Sequence, residues 1–127
     1  MTYKILVVDD SKLARMSVAK ALTTLRPDWT RLEASNADEA LVLVDETQID
    51  VALLDFNMPG RDGLDLAKEL RLRRPRMPVA VISANHQSEI VERARQVGAV
   101  FLTKPISEKT LGEFIEVAVR QLEGGAR

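Results

Sequence analysis

The stretch Ile5-Leu6-Val7-Val8-Asp9-Asp10-Ser11 decides the reading of this chain. Four consecutive apolar residues, three of them β-branched, describe a strand buried on both faces. A strand with one wet face would alternate polar with apolar instead. The run stops on two adjacent carboxylates. Behind them, residues 12–25 put Ala14, Val18, Ala21, Leu22 and Leu25 on one helical stripe, with Asp10 or Ser11 available as N-cap.

The same unit recurs outward from there. Residues 30–34 read as a weaker strand. Asn36 as N-cap with Glu39 three residues later starts a helix that buries Ala40, Leu41 and Val44. Residues 51–54 form an apolar run, Pro59-Gly60 a turn, and 64–72 a helix with Leu66, Ala67 and Leu70 inward. Residues 79–82 are a fourth strand. The helix at 87–97 turns Ile90, Ala94 and Val97 inward and stops at Gly98. Residues 100–102 are the fifth strand, and 108–122 a helix with Leu111, Phe114, Ile115, Ala118 and Leu122 inward. Five βα units predict an α/β domain, doubly wound as (βα)5 around a five-stranded parallel sheet. It occupies residues 1–123, with a short tail at 124–127 opened by Gly124-Gly125.

Composition bounds the function. The 127 residues suit one domain. A net charge of −1 argues against a protein that holds nucleic acid by charge alone. With no cysteine, disulfides, thiolate metal sites and cysteine nucleophiles are all excluded. The longest apolar runs have five residues, whereas a membrane span needs roughly 20. The N-terminus has no signal-peptide pattern. A cytoplasmic, stand-alone protein without membrane attachment is expected.

In open parallel sheets, ligands bind outside the carboxyl ends of the strands. The residues that close each apolar run are therefore the candidates for chemistry. The first run ends on Asp9 and Asp10, the third on Asp55, the fourth on Ser83, and the fifth on Thr103, Lys104 and Pro105. If strands 1, 3, 4 and 5 are neighbours, three carboxylates, a hydroxyl and an ammonium meet on one edge. Two carboxylates about 5 Å apart repel by roughly 3 kcal/mol at an effective dielectric near 20. Three must take up protons or hold a cation. Carboxylates, a backbone carbonyl and waters suit Mg²⁺, and Mn²⁺ could substitute. With a lysine beside it, such a cluster neutralises an incoming phosphoryl group, and aspartate is an established covalent acceptor of one.

Asp9-Asp10, Asp55, the segment Asn57-Met58-Pro59-Gly60-Arg61-Asp62-Gly63, Ser83-Ala84 and Lys104-Pro105 together resemble the motif set of bacterial two-component response-regulator receiver domains. The stand-alone chemotaxis-regulator type is the nearest. The resemblance covers residues 4 to about 122 and implies a flavodoxin-like strand order 2-1-3-4-5. It implies Asp55 as phosphoacceptor, with Mg²⁺ held by Asp10, Asp55 and the Asn57 backbone carbonyl, and by Asp9 through water. It further implies Lys104, Ser83 and the Ala84 backbone as phosphoryl contacts, Ser83 and Phe101 as the switch pair, and a cis bond before Pro105. By the same resemblance, Asn57 and Asn85 tune the lifetime of the acyl phosphate, with the Asn57 amide orienting the attacking water. Leu13, Met16 and Ile106 are the expected docking residues for a histidine kinase.

The function implied is a phosphoacceptor switch rather than an enzyme. A sensor histidine kinase or a phosphotransfer protein supplies the phosphoryl group. The surface of the fourth helix, fifth strand and fifth helix then controls an unidentified target protein, without direct DNA binding. The chain is expected to be a monomer, with dimerisation possible on phosphorylation. A phosphorelay intermediate and a receiver fragment of a longer regulator are the alternatives. An Asp-nucleophile phosphohydrolase fits less well, because Asp9-Asp10 is not Asp-x-Asp and no lid insertion is present. A flavin carrier fits worse still, since Asp9-Asp10 would repel its phosphate. His86 has no partner for a catalytic dyad and reads as a loop residue. Arg71, Arg73, Arg74 and Arg76 read as a solvated helix end.

Overall fold

The computed structural model describes residues 2–85 and 87–125; His86 lies outside the described residues. Its elements are β1 (Lys4–Val8), α1 (Lys12–Leu25), β2 (Thr30–Ala34), α2 (Ala37–Glu46), β3 (Val51–Asp55), α3 (Gly63–Arg73), β4 (Val79–Ser83), α4 (Ser88–Gln96), β5 (Val100–Thr103) and α5 (Glu108–Gly125). The strands form one parallel sheet in the order β2-β1-β3-β4-β5. The chain runs outward from β1 to β2, then crosses back to β3. That reversal leaves a crevice at the carboxyl ends of β1 and β3, where no crossover covers the sheet.

Strict alternation divides the interior into two layers. Leu6, Val8, Ala52, Leu54, Val79 and Val81 face one way, onto Ala40, Val44, Leu66, Leu70, Ile90 and Ala94 of α2, α3 and α4. Ile5, Val7, Val51, Leu53, Ala80 and Ile82 face the other, onto Val18, Leu22, Leu111, Phe114 and Ile115 of α1 and α5. This is why the runs of β1, β3 and β4 are apolar, each residue having a helix above or below it, whereas β2 at the sheet edge is polar and largely exposed.

The elements depart from the sequence pattern at their ends. Strand pairing continues one residue past the apolar run at Asp55, Ser83 and Thr103, because Asp55 pairs in register with Ile82 and Ser83 with Thr103. The polar residues at the edge are thus held by the sheet itself rather than by loops. Helix α4 is shorter at both ends than the predicted 87–97, and Gln87 gives its first turn no side-chain cap. Helix α5 runs through Gly124 to Gly125, so it includes the two glycines from which a tail was predicted. Four buried residues, Leu111, Phe114, Ile115 and Ala118, anchor it to the sheet, and the helix carries on beyond them despite the poor propensity of glycine.

Ser11 caps α1, accepting from the Ala14 N–H, and Asn36 caps α2, accepting from the Glu39 N–H. Glu39 does not close the reciprocal capping box onto Asn36. Its carboxylate takes the Ser35 N–H and hydroxyl instead, both at 2.8 Å. At the opposite end of the sheet, Trp29 packs edge-on against Tyr3, with ring centroids 5.4 Å apart, and lies under the Arg26 guanidinium.

Candidate functional site

The site begins at the end of β1. Asp9 is buried, and its main chain and side chain are both held. Its N–H donates to Ala34 O at 3.1 Å, and its Oδ1 accepts from the Ser11 N–H at 2.9 Å. Its carbonyl accepts from the Arg15 guanidinium. Asp10, the next residue, is exposed. Asp55 closes β3 and is only 4% exposed. Carboxylate oxygens of Asp9, Asp10 and Asp55 all lie within 4.8 Å of one another.

Lys104 answers this charge from the end of β5. Its Nζ lies 2.7 Å from Asp55 Oδ1 and 3.8 Å from Asp9 Oδ2. The shorter contact is an ion pair, and the buried Asp55 Oδ1 has no further polar partner among the described residues. The Lys104 N–H donates to Ser83 O at 3.0 Å, which ties β5 to β4 at this edge, and the Lys104–Pro105 bond is cis.

The approach of α3 fixes Asp55 from behind. The Gly63 N–H donates to Phe56 O at 2.9 Å. A Cβ on Gly63 would lie 2.4 Å from the Asp55 carbonyl oxygen, so only glycine lets the helix start come this close to the strand end. Asp62 caps the helix just before it, accepting from the Asp65 N–H.

Charge and burial oppose each other here. Burial raises the Asp9 carboxyl above its ordinary range, and repulsion from Asp55 and Asp10 adds to this; the Ser11 N–H and Lys104 act against it. Burial works to lower the Lys104 ammonium, but Asp55, Asp9 and Asp10 together outweigh it, and the ammonium is held above its ordinary range. One ammonium cannot balance three carboxylates. The converging carboxylates, the all-oxygen donor set and a buried Asp55 Oδ1 met only by Lys104 together fit a hard divalent cation such as Mg²⁺. Asp9, Asp10 and Asp55 are the side chains that could hold it.

The other predicted site residues take varied places. Asn57 is exposed on the loop two residues after Asp55, and Ala84 is exposed just after Ser83. Ser83 is buried, and its hydroxyl accepts from the Asn85 N–H at 3.0 Å. The Asn85 side chain accepts from the Gln87 N–H at 3.1 Å. Both side chains are thus engaged within the loop before α4, whereas Asp9, Asp10, Asp55 and Lys104 meet directly. Phe101 is half-buried against the layer that contains Ile90 and Ala94. On α1, Leu13 is 78% exposed and Met16 55%. Ile106 is half-buried against the α1–α5 layer. Sequence reasoning missed Arg15 at this site, since its partners Asp9 and Glu33 share no recognisable spacing with it. The arginine cluster of α3 lies at the far end of the sheet.

Comparison with known proteins agrees with this geometry. The sequence profile described as response regulator receiver domain matches residues 5–116. The chain is 41% identical over 120 residues to the positive alginate biosynthesis regulatory protein of Pseudomonas aeruginosa, covering 91% of this chain and 47% of that one. It is 37% identical over 119 residues to the transcriptional regulatory protein PdtaR of Mycobacterium tuberculosis, covering 91% and 56%. It spans about half the length of these curated relatives. The solved structure of chemotaxis protein CheY4 from Vibrio cholerae superposes with a TM-score of 0.84 at 26% identity, covering 93% of this chain and 99% of that one.

Proposed function

The chain belongs to the response regulator receiver domain family, and from that premise we propose that it is a phosphorylation switch whose phosphoacceptor is Asp55. Phosphorylation and Mg²⁺ binding are typical of this family, and a receiver domain implies a histidine kinase or phosphotransfer protein as phosphoryl source. The observation that carries the assignment is the state of Asp55. It is buried at a central strand end, beside two further carboxylates, with a single lysine as its charge partner.

In the proposed reaction a carboxylate oxygen of Asp55 attacks the phosphorus of a phosphohistidine. The O–P bond forms as the P–N bond breaks, and the leaving imidazole takes up a proton from solvent. Asp10, Asp55 and the Asn57 carbonyl would hold Mg²⁺, with Asp9 reaching it through water, and the bound ion would supply charge neutralisation for the transferring group. Lys104 pairs with Asp55 before transfer and with a phosphoryl oxygen after it. Ser83 and the Ala84 backbone contact the remaining oxygens, and Phe101 follows Ser83 inward. The Asn57 amide, with Asn85 across the loop, sets how fast water hydrolyses the acyl phosphate.

The output is a population shift on the α4–β5–α5 surface, which controls a target protein. Leu13, Met16 and Ile106 form the docking patch for the phosphoryl donor. We place the domain in the cytoplasm, as a monomer that can dimerise on phosphorylation. Among the described residues no helix is long and apolar enough to cross a membrane. A second reading rests on length: covering 47% and 56% of regulators of transcription or biosynthesis, the sequence also suits the receiver part of a longer regulator.

Mass spectrometry after incubation with acetyl phosphate tests the chemistry. One phosphoryl adduct that needs Mg²⁺ and disappears in Asp55→Asn is expected. No adduct from acetyl phosphate or from a phosphorylated histidine kinase, in a folded protein, would leave a receiver fold that works without phosphorylation.

A further inference from the structure

Asp9 follows β1, and only half of its main chain is still paired with the sheet. Its N–H still finds Ala34 O, but its carbonyl has no strand donor to meet, because β2 stops at Ala34. A backbone carbonyl at the edge of a core needs a partner. Arg15, one turn inside α1, provides it through Nη1. The same guanidinium pairs through Nε with Glu33 Oε1 on β2 at 3.0 Å, and Glu33 is braced in turn by Arg31 at 3.3 Å. The Arg15 side chain is only 16% exposed and its bond to the Asp9 carbonyl is partly buried, while Glu33 lies on the surface at 37%.

The carbonyl it holds belongs to the peptide that joins Asp9 to Asp10. That unit is planar and rigid. With the Asp9 N–H tied to β2 and the carbonyl tied to Arg15, the backbone on either side of Asp9 has little freedom left. Asp10 is the residue that gains most. Its carboxylate is exposed and makes no hydrogen bond among the described residues, so its place beside Asp9 and Asp55 is inherited from the peptide plane before it.

We propose that Arg15 is a positioning residue that locks the Asp9–Asp10 peptide, presents both carboxylates to a divalent cation, and ties their orientation to β2 through Glu33. This rests on the cation-binding role proposed above for the carboxylates. Partners of metal ligands commonly set affinity by 10- to 100-fold.

Titration calorimetry with MgCl₂ on the purified protein tests it, with Asp10→Asn as the control. Arg15→Met keeps the apolar stem and removes the clamp, and about tenfold weaker Mg²⁺ binding is expected. Arg15→Lys keeps the charge with a single donor head and is expected to lose a few-fold. In the metal-free protein, Arg15→Met should also speed hydrogen exchange at the Asp10 and Ser11 amides relative to amides in β3. Unchanged Mg²⁺ affinity in Arg15→Met, with Asp10→Asn weakened, would overturn the role of Arg15 and leave the cation site standing. If Asp10→Asn binds Mg²⁺ like the wild type, the cation site falls and the inference falls with it. Should Arg15→Met not fold, Arg15→Lys is decisive alone: affinity equal to the wild type overturns the proposal.

Discussion

The two ends of the sheet carry comparable amounts of charge and handle it in opposite ways. At the amino-terminal end, Arg73 meets Asp45 at 2.6 Å and Glu69 at 3.4 Å. Arg74 donates to Val44 O at 2.9 Å, Arg71 donates to Met77 O at 3.0 Å, and Arg76 is also partnered. A surface hollow of about 600 Å³ opens there, lined by Asp45, Ile49, Asp50, Arg73, Arg74 and Met77. Its charges already answer each other. At the carboxyl-terminal end, three carboxylates face one lysine. Neither the density of charge nor the size of a hollow marks the site. Imbalance does: the end left short of positive charge is the one able to hold a cation and receive a phosphoryl group.

Substitutions at matched positions test that contrast. The largest effect is expected from Gly63→Ala at the acidic end. Its Cβ would meet the Asp55 carbonyl oxygen at 2.4 Å and Phe56 Cα at 2.9 Å, and backbone cannot step aside. Urea melts should show a loss of about 3 kcal/mol, together with slower phosphorylation by acetyl phosphate. Gly98→Ala at the other end should cost less, about 1–2 kcal/mol, through its φ of +78°. The nearest atoms there belong to the flexible Arg71 side chain, which can move.

Asp9→Asn should do the reverse and stabilise the metal-free protein by about 1 kcal/mol. Repulsion of about 3 kcal/mol between carboxylates ~5 Å apart is partly offset by Lys104. Saturating Mg²⁺ should remove this advantage. So should acid. Because the Asp9 carboxyl sits above its ordinary value of 3.8 in the fold, the folded state holds that proton more tightly. Its destabilising contribution therefore grows as pH rises from 3.8 through the raised value and is full above it. Below that window Asp9 is neutral, and the variant and wild type should unfold together. The smallest effect belongs to the balanced end. Asp45→Asn breaks a short but exposed ion pair and should leave the urea midpoint unchanged. A shift there as large as that of Asp9→Asn would break the comparison.

Much of this was legible in the sequence because periodicity reports burial directly. Unbroken apolar runs marked β1, β3 and β4 as strands covered on both faces, while the weaker β2 is largely exposed and β5 only partly covered. The helical stripes named the inward residues of α3 and α5, and in α1 they named the buried Val18 and Leu22, with Ala14, Ala21 and Leu25 half-buried. The order of the strands was not legible from pattern; it came with the resemblance to receiver domains. Asp9, Asp10, Asp55 and Lys104 could be found because topology alone delivers strand ends to one edge. What escaped depends on side-chain reach between distant segments. Arg15 and Glu33 are 18 residues apart, and no spacing rule links them. Glu39 satisfied Ser35 rather than the expected cap, a choice between neighbouring donors that the motif does not resolve. The arginines of α3 looked like a free cluster until Asp45 and two carbonyls arrived from other elements.

The sheet that carries the site also works as a partition. Residues alternate so strictly that α2, α3 and α4 share one interior, α1 and α5 the other, and the strand backbone stands between them. A cavity opened at Leu70 on one side and another at Ile115 on the other would have no common neighbour through which to relax. Their costs should simply add. Each half-core can then be repacked, by drift or by design, without renegotiating the other.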